Sequence, residues 1–179
     1  MAEIRKGEVT MKGNPVDLIG PRLKAGDQAP DFSCATKGEA GLAVLSLKDT
    51  AGKARLFSVV PSLDTPVCSV QTKTLSKTLA ELGDKVGAYT ISMDLPFAMA
   101  RFCADAGVVN MTNLSDLHNH SFGEHYGVLM HGTPVPLLTR ALFVVDPSGT
   151  IVHAEYVKEV TNEPDYGPAI EALKKAAGA

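Results

Sequence analysis

Hydrophobic and polar positions alternate with two periods along this chain, and their changeovers mark out its elements. From residue 3 to 18 the period is two: Val9 and Met11 alternate with polar neighbours, the dipeptide Gly13-Asn14 reads as a turn, and Val16 and Leu18 resume the pattern. This predicts a hairpin. Residues 19–30, rich in Gly, Pro and charge, read as a connector, Phe32–Ala35 as a short strand, and Leu42–Leu47 as an alternating strand that ends at Lys48–Lys53. The near-continuous apolar run Leu56–Val60 suits a central strand buried on both faces.

Helical spacing then takes over. Val70, Leu75, Leu79 and Leu82 predict a helix over 66–82, followed by a second central strand at Gly87–Met93. A helix over 96–106 is expected to carry Phe97, Ala100 and Ala104 on one face. Ser115 is expected to cap a helix running to about Tyr126, and 127–138 to form a Gly/Pro-rich loop. Ala141–Val145 and Thr150–Val157 read as antiparallel strands joined by the turn Asp146-Pro147-Ser148-Gly149, and Pro168 is expected to open a last helix with Ile170, Leu173 and Ala177 on one face. Strands alternating with helices predict an α/β fold with a mixed sheet. No internal repeat or low-complexity segment interrupts the pattern.

At 179 residues, the chain is expected to form one domain over 1–179. A net charge of −3 argues against nucleic acid or an anionic membrane as a partner. No apolar signal segment or run long enough to span a membrane appears, so the expected location is cytoplasmic. Three cysteines, Cys34, Cys68 and Cys103, are too few and too odd in number for a disulfide framework. Their spacing contains no Cys-x-x-Cys.

Cys68 stands out among them. It follows the strand Leu56–Val60 through the turn Pro61-Ser62-Leu63-Asp64, with Thr65 as the expected N-cap and Pro66 at the first helical position. A cysteine in a first helical turn meets free N–H groups and the positive end of the helix dipole, and such thiols titrate at roughly 3.5–7.5 rather than about 8.5. Cys68 is therefore a candidate nucleophile, against the alternative of an inert buried thiol. Cys103 lies 35 positions later, deeper in the helix that follows the second central strand. Its residue-level reading stays open between packing and redox partnership. Asp64 is expected to face solvent, and Cys34 to be a core thiol.

The signature Pro61-x-x-x-Thr65-x-x-Cys68 resembles the active-site motif of the peroxiredoxins. The longer strings Pro61–Cys68 and Asp94-Leu95-Pro96-Phe97 through Arg101-Phe102-Cys103 are similar to the bacterial thiol peroxidase branch. So are Ser121–Glu124, Tyr126–Val128, Arg140–Asp146 and Glu163–Tyr166. The resemblance spans nearly the whole chain. It implies a thioredoxin-like (peroxiredoxin) fold with an N-terminal β-hairpin, a homodimer, and reduction of hydrogen peroxide and organic hydroperoxides. Cys68 then matches the peroxidatic cysteine, and Thr65 the hydroxyl that bonds thiolate and peroxide. Arg140 matches the arginine beside the sulfur, Pro61 the shielding proline, and Cys103 the resolving cysteine of an intramolecular disulfide recycled by thioredoxin. No cofactor or metal is implied. His118 stands where arginine is more usual in the family.

Two rival readings are testable. The histidines His118, His120 and His125 form a cluster of metal-ligating type, although they share a helix face poorly. A thiol–disulfide exchange protein or holdase without peroxidase turnover is the second rival, and the missing Cys-x-x-Cys counts against an exchange catalyst.

Overall fold

The computed structural model describes residues 2–179. Among these residues ten strands and four α-helices form, and the strands at Thr112–Ser115 and Leu129–His131 are not among those the sequence pattern predicts. The hairpin is formed by β1 (Ile4–Met11) and β2 (Asn14–Ile19). Its turn is Lys12-Gly13, one residue earlier than the Gly13-Asn14 reading. Met11 pairs with Asn14, and both turn residues are left-handed, at φ 50° and 79°. A two-residue connection needs that geometry to match the strand twist.

β3 (Ser33–Gly38) and β4 (Gly41–Ser46) form a second hairpin at the edge of the main sheet. Here the alternation misleads about burial: Leu42 and Val44 are 61% and 60% exposed, because nothing covers that face of the edge strand. β5 (Ala54–Val59) is buried along its whole length, as its apolar run requires. Then follow α1 (Pro66–Leu79), β6 (Val86–Ser92), α2 (Pro96–Ala106) and β7 (Thr112–Ser115).

Ser115 ends that strand and is buried, so it caps nothing. The helix expected after it shrinks to α3 (Ser121–His125). The predicted loop 127–138 contains β8 (Leu129–His131), which adds to the N-terminal hairpin in the order β1-β2-β8. β9 (Ala141–Val145), β10 (Ile151–Tyr156) and α4 (Tyr166–Ala176) complete the chain. α4 starts two residues before Pro168, capped by Asp165, whose carboxylate accepts the Gly167 N–H at 3.2 Å.

The seven-stranded sheet runs β10-β9-β5-β6-β7-β3-β4, with β5, β6 and β7 parallel and the remaining pairs antiparallel. Side chains alternate across its central strands. Phe57, Val59, Phe143 and Val145 join one core cluster, together with Val9 and Leu18 of the hairpin and an aromatic group around Phe122 and Tyr126. Leu56, Leu142 and Val144 face the other way, against Leu75 and Leu79 of α1 and Ile170 and Leu173 of α4. The hairpin therefore closes one face of the sheet and the helices the other. The hairpin's end is tied down where Gly127 passes the backbone at Pro21 so closely that any side chain there would collide with the Pro21 carbonyl. Among the described residues, no helix is long and apolar enough to cross a membrane.

Candidate active site

β5 and β6 end at the same edge of the sheet, and the loops leaving them deliver Cys68 and Cys103 on the following helices. Thr65 takes the extended N-cap conformation (φ −126°, ψ 149°) and Pro66 the first helical position, so Cys68 is the third residue of α1. Its N–H lies among the four at the helix start that have no intrahelical acceptor. The Thr65 hydroxyl does not cap them. It is exposed and donates to the Ser62 carbonyl at 3.0 Å, which tightens the turn. The bond from Thr65 to the sulfur implied by the resemblance is thus not made in this structure. Asp64 is exposed, as expected, and Pro61 is buried at the base of the turn.

The Cys68 side chain is fully buried among Val60, Leu63 and Met99, with Phe102 packed against the group. One polar group reaches the sulfur: Arg140 Nη2, at 3.4 Å. Arg140 directly precedes β9 and is 2% exposed. Its guanidinium is held on three sides. Nε donates to the Val160 carbonyl at 2.8 Å, Nη1 to Gln71 Oε1 at 2.7 Å, and Nη2 faces Cys68 Sγ. Gln71, fully buried one turn after Cys68, is itself oriented by its donation to Ser58 Oγ at 2.8 Å.

Sequence reasoning missed Gln71 and Val160. The first was legible as a polar residue at i+3 from Cys68, on the same helix face and pointing into the core. The second acts through its backbone, so no side chain announces it. None of the three acceptors of Arg140 is a carboxylate, and none of the salt bridges among the described residues involves it. A buried cation without a counter-ion costs several kcal/mol, and the Cys68 sulfur 3.4 Å away is a group able to carry a negative charge.

Asp94, just before α2, binds the turn before α1. It accepts from Ser62 Oγ at 2.7 Å, the Leu63 N–H at 2.8 Å and Ser92 Oγ at 2.8 Å. Beside this clasp runs an open groove of about 720 Å³, lined by Leu63, Asp94, Leu95, Phe97, Arg101 and Phe102 among others. Leu63 and Phe102 both line the groove and pack around Cys68, and so form the wall between them. The buried face of α2 is Pro96, Met99 and Cys103, whereas Phe97, expected to share one face with Ala100 and Ala104, is 55% exposed on the groove.

Cys103 sits in the helix-side core rather than in the cluster around Cys68. It is a free thiol, as are the other two cysteines. Asn113 Nδ2 donates to its sulfur at 3.3 Å, and burial pushes its thiol pKa up while that bond partly opposes the rise. Cys34 is fully buried in β3, and its Sγ lies 3.5 Å from Asp116 Oδ1. Burial above all, and then the adjacent carboxylate, drive its thiol pKa far up. The histidines do not converge: His125 Nδ1 meets the Asp31 carbonyl at 2.6 Å, and no group of three metal-ligating side chains forms among the described residues.

The Redoxin family model matches residues 24–170. The thiol peroxidase of Bacillus subtilis (strain 168) is 48% identical over 167 residues, covering 93% of this chain and 96% of that protein.

The chain belongs to the redoxin family, in its thiol peroxidase branch.

The thiol peroxidase of Streptococcus parasanguinis is 44% identical over 92% of this chain and 97% of its own length. Among solved structures, a peroxiredoxin-like protein from Aquifex aeolicus superimposes with a TM-score of 0.83 at 36% identity, over 96% of this chain and 99% of that one. The thiol peroxidase from Chromobacterium violaceum gives 0.82 at 19% identity, over 95% and 97%, a likeness of fold. The thioredoxin-like architecture with an N-terminal strand pair, expected from the sequence, is thereby established. Peroxidase is the activity of the branch.

Proposed function

We propose that this chain reduces hydrogen peroxide and organic hydroperoxides through Cys68, with Arg140, Thr65 and Pro61 forming its surroundings and Cys103 resolving the product. The observation that supports this most is the buried guanidinium 3.4 Å from a sulfur in the first turn of a helix. The helix N-terminus and the guanidinium both favour the nucleophilic anion. The thiolate attacks the nearer peroxide oxygen and the O–O bond breaks. The departing oxygen takes its electron pair and a proton to leave as water or an alcohol, and Cys68 becomes a sulfenic acid. Arg140 Nη2 is positioned to donate to the oxygens as negative charge grows on the leaving one.

The Cys103 thiol then displaces the sulfenic hydroxyl, which leaves as water, to give a disulfide. A thioredoxin-type dithiol, the general reductant of this family and here proposed to be thioredoxin, reduces it by exchange. Because Cys103 lies in a separate core cluster, α2 must open to deliver it. Closing a loop of this length is worth about 3–4 kcal/mol on chain entropy, which strain or local unfolding in the oxidised form must offset for the bond to cycle. The proposal extends to a cytoplasmic homodimer acting as one domain per chain.

Cys103→Ser tests the assignment. Thioredoxin-dependent turnover should be lost, while the first equivalent of peroxide is still consumed and a sulfenic acid is trapped at Cys68. Intact turnover by that variant would remove Cys103 from the mechanism. A holdase or exchange protein without peroxidase chemistry would consume no peroxide in either form.

A further inference from the structure

Beyond β10, residues 158–161 run across the N-terminal hairpin, and two neighbouring side chains grip it. Lys158 Nζ donates to the Glu8 carbonyl at 2.9 Å and the Gly7 carbonyl at 3.2 Å, where the register of the hairpin is interrupted. The Glu159 carboxylate accepts five hydrogen bonds. Three come from the hairpin: Thr10 Oγ1 at 2.8 Å, the Lys12 N–H at 2.9 Å and the Gly13 N–H at 3.0 Å. Two come from Thr161: its hydroxyl at 2.7 Å and its N–H at 3.2 Å.

Lys12 and Gly13 are the left-handed turn residues, so their N–H groups form a small concave nest for an anion. The carboxylate fills it, and the bonds from the Thr161 hydroxyl first, then the Gly13 N–H and the Thr10 hydroxyl, hold the Glu159 pKa down at about 2, against an ordinary 4.5. The next residue carries the consequence. The Val160 N–H donates to the Thr10 carbonyl at 2.8 Å, and the Thr10 N–H donates to the Lys158 carbonyl at 2.7 Å. The Val160 carbonyl, facing the other way, receives Arg140 Nε at 2.8 Å. The guanidinium has one other protein anchor, Gln71. A planar fork held at two points has its third direction fixed, and here that direction is the Cys68 sulfur.

We infer that Glu159 is a positioning residue for the peroxidase site: by locking the hairpin turn it fixes the Val160 carbonyl, and through it the angle at which Arg140 meets Cys68. The inference rests on the role proposed above for Arg140. It gives the N-terminal hairpin a task in the chemistry besides covering the sheet.

The test uses the full reduced chain carrying Cys103→Ser, so that the reaction stops at the sulfenic acid. Two quantities are read: the rate of reaction with hydrogen peroxide at pH 7, and the pH midpoint for alkylation of Cys68, located by mass spectrometry. Glu159→Ala should slow the peroxide reaction about tenfold and move the alkylation midpoint up by about one pH unit. Glu159→Gln, which keeps one acceptor oxygen and the side-chain volume, should shift both in the same direction by less, and it carries the test if the alanine variant does not fold. Asp17→Ala loosens the hairpin elsewhere, where Asp17 Oδ1 accepts the Gly7 N–H at 2.8 Å. It should lower the melting temperature and leave both readings unchanged.

Native rates and midpoint in both Glu159 variants would overturn the inference. So would an Asp17→Ala variant that shifts them as much as Glu159→Ala does. Arg140→Gln, which removes the charge, separates the two layers of argument. If it moves the midpoint while the Glu159 variants do not, the positioning inference alone fails. If it too leaves the midpoint unmoved, the reading of Arg140 fails and takes the inference with it.

Discussion

Cys68 and Cys34 are equally hidden, each with a fully buried side chain at the edge of a packed core, yet they meet opposite neighbours. Cys68 has a guanidinium 3.4 Å away and the start of a helix behind it. Cys34 has a carboxylate 3.5 Å away and lies within a strand, where no row of free N–H groups faces it. The carboxylate itself is occupied: Asp116 receives the Phe122 N–H at 2.9 Å and the Gly123 N–H at 2.7 Å, closing the start of α3. Cys103 is intermediate, with a neutral amide donating to it. Burial is common to Cys68 and Cys34 and does not tell them apart; the sign of the charge placed beside each sulfur does. Arg55 makes the complementary point. It is a buried arginine bonded to the Thr50 hydroxyl and the Asp146 carbonyl, and burial weakens its hold on its proton. Its partners are neutral oxygens and no thiol is among them.

The comparison can be broken most directly at its charged end. Arg140→Lys keeps the charge but loses the fork that spans Val160, Gln71 and Cys68, and it should lower the rate of reaction with peroxide by about 10- to 100-fold in single-turnover kinetics. A native rate would mean that the guanidinium geometry is irrelevant to the sulfur.

The second effect is on stability. Asp116→Ala leaves two buried N–H groups without an acceptor and should cost about 2–3 kcal/mol, read by denaturant unfolding, while peroxide turnover in the folded fraction stays native. Its pH dependence has a definite sign. Burial raises the Asp116 pKa above its ordinary 3.8, so the folded chain holds that proton more tightly than the unfolded one. This stabilising contribution is complete below pH 3.8 and is lost as the pH rises through the raised value. The gap in melting temperature between the native chain and Asp116→Ala should accordingly narrow as the pH is raised from that point.

The smallest effect belongs to Cys34 itself. Cys34→Ala removes one buried sulfur and should cost about 1–2 kcal/mol of stability, with peroxide turnover unchanged. A loss of turnover there would erase the distinction between the two thiols.

The central elements were legible because their signals are local. A continuous apolar run makes β5, and a Thr-Pro start followed by helical spacing makes α1, so Cys68 could be placed in a first helical turn from sequence alone. The same residues fixed the resemblance to the thiol peroxidases, since every string that carries it is contiguous. Errors gathered where tertiary contacts overrule local preference. β8 forms inside a Gly/Pro-rich stretch because the hairpin offers it an open edge, and Ser115 became the end of a strand rather than a cap because β6 was there to pair with it.

Residue types along the chain determined which groups could react: one thiol at a helix start, one arginine at the head of a strand, a second thiol downstream. Only the folded structure decided which of them meet. The encounter of Arg140 with Cys68 joins positions 72 residues apart, and its third anchor is a backbone carbonyl held by a hairpin from the other end of the chain. Contacts between distant positions leave no periodicity in a sequence, and a carbonyl is common to every residue, so neither carries a signal until the chain is packed.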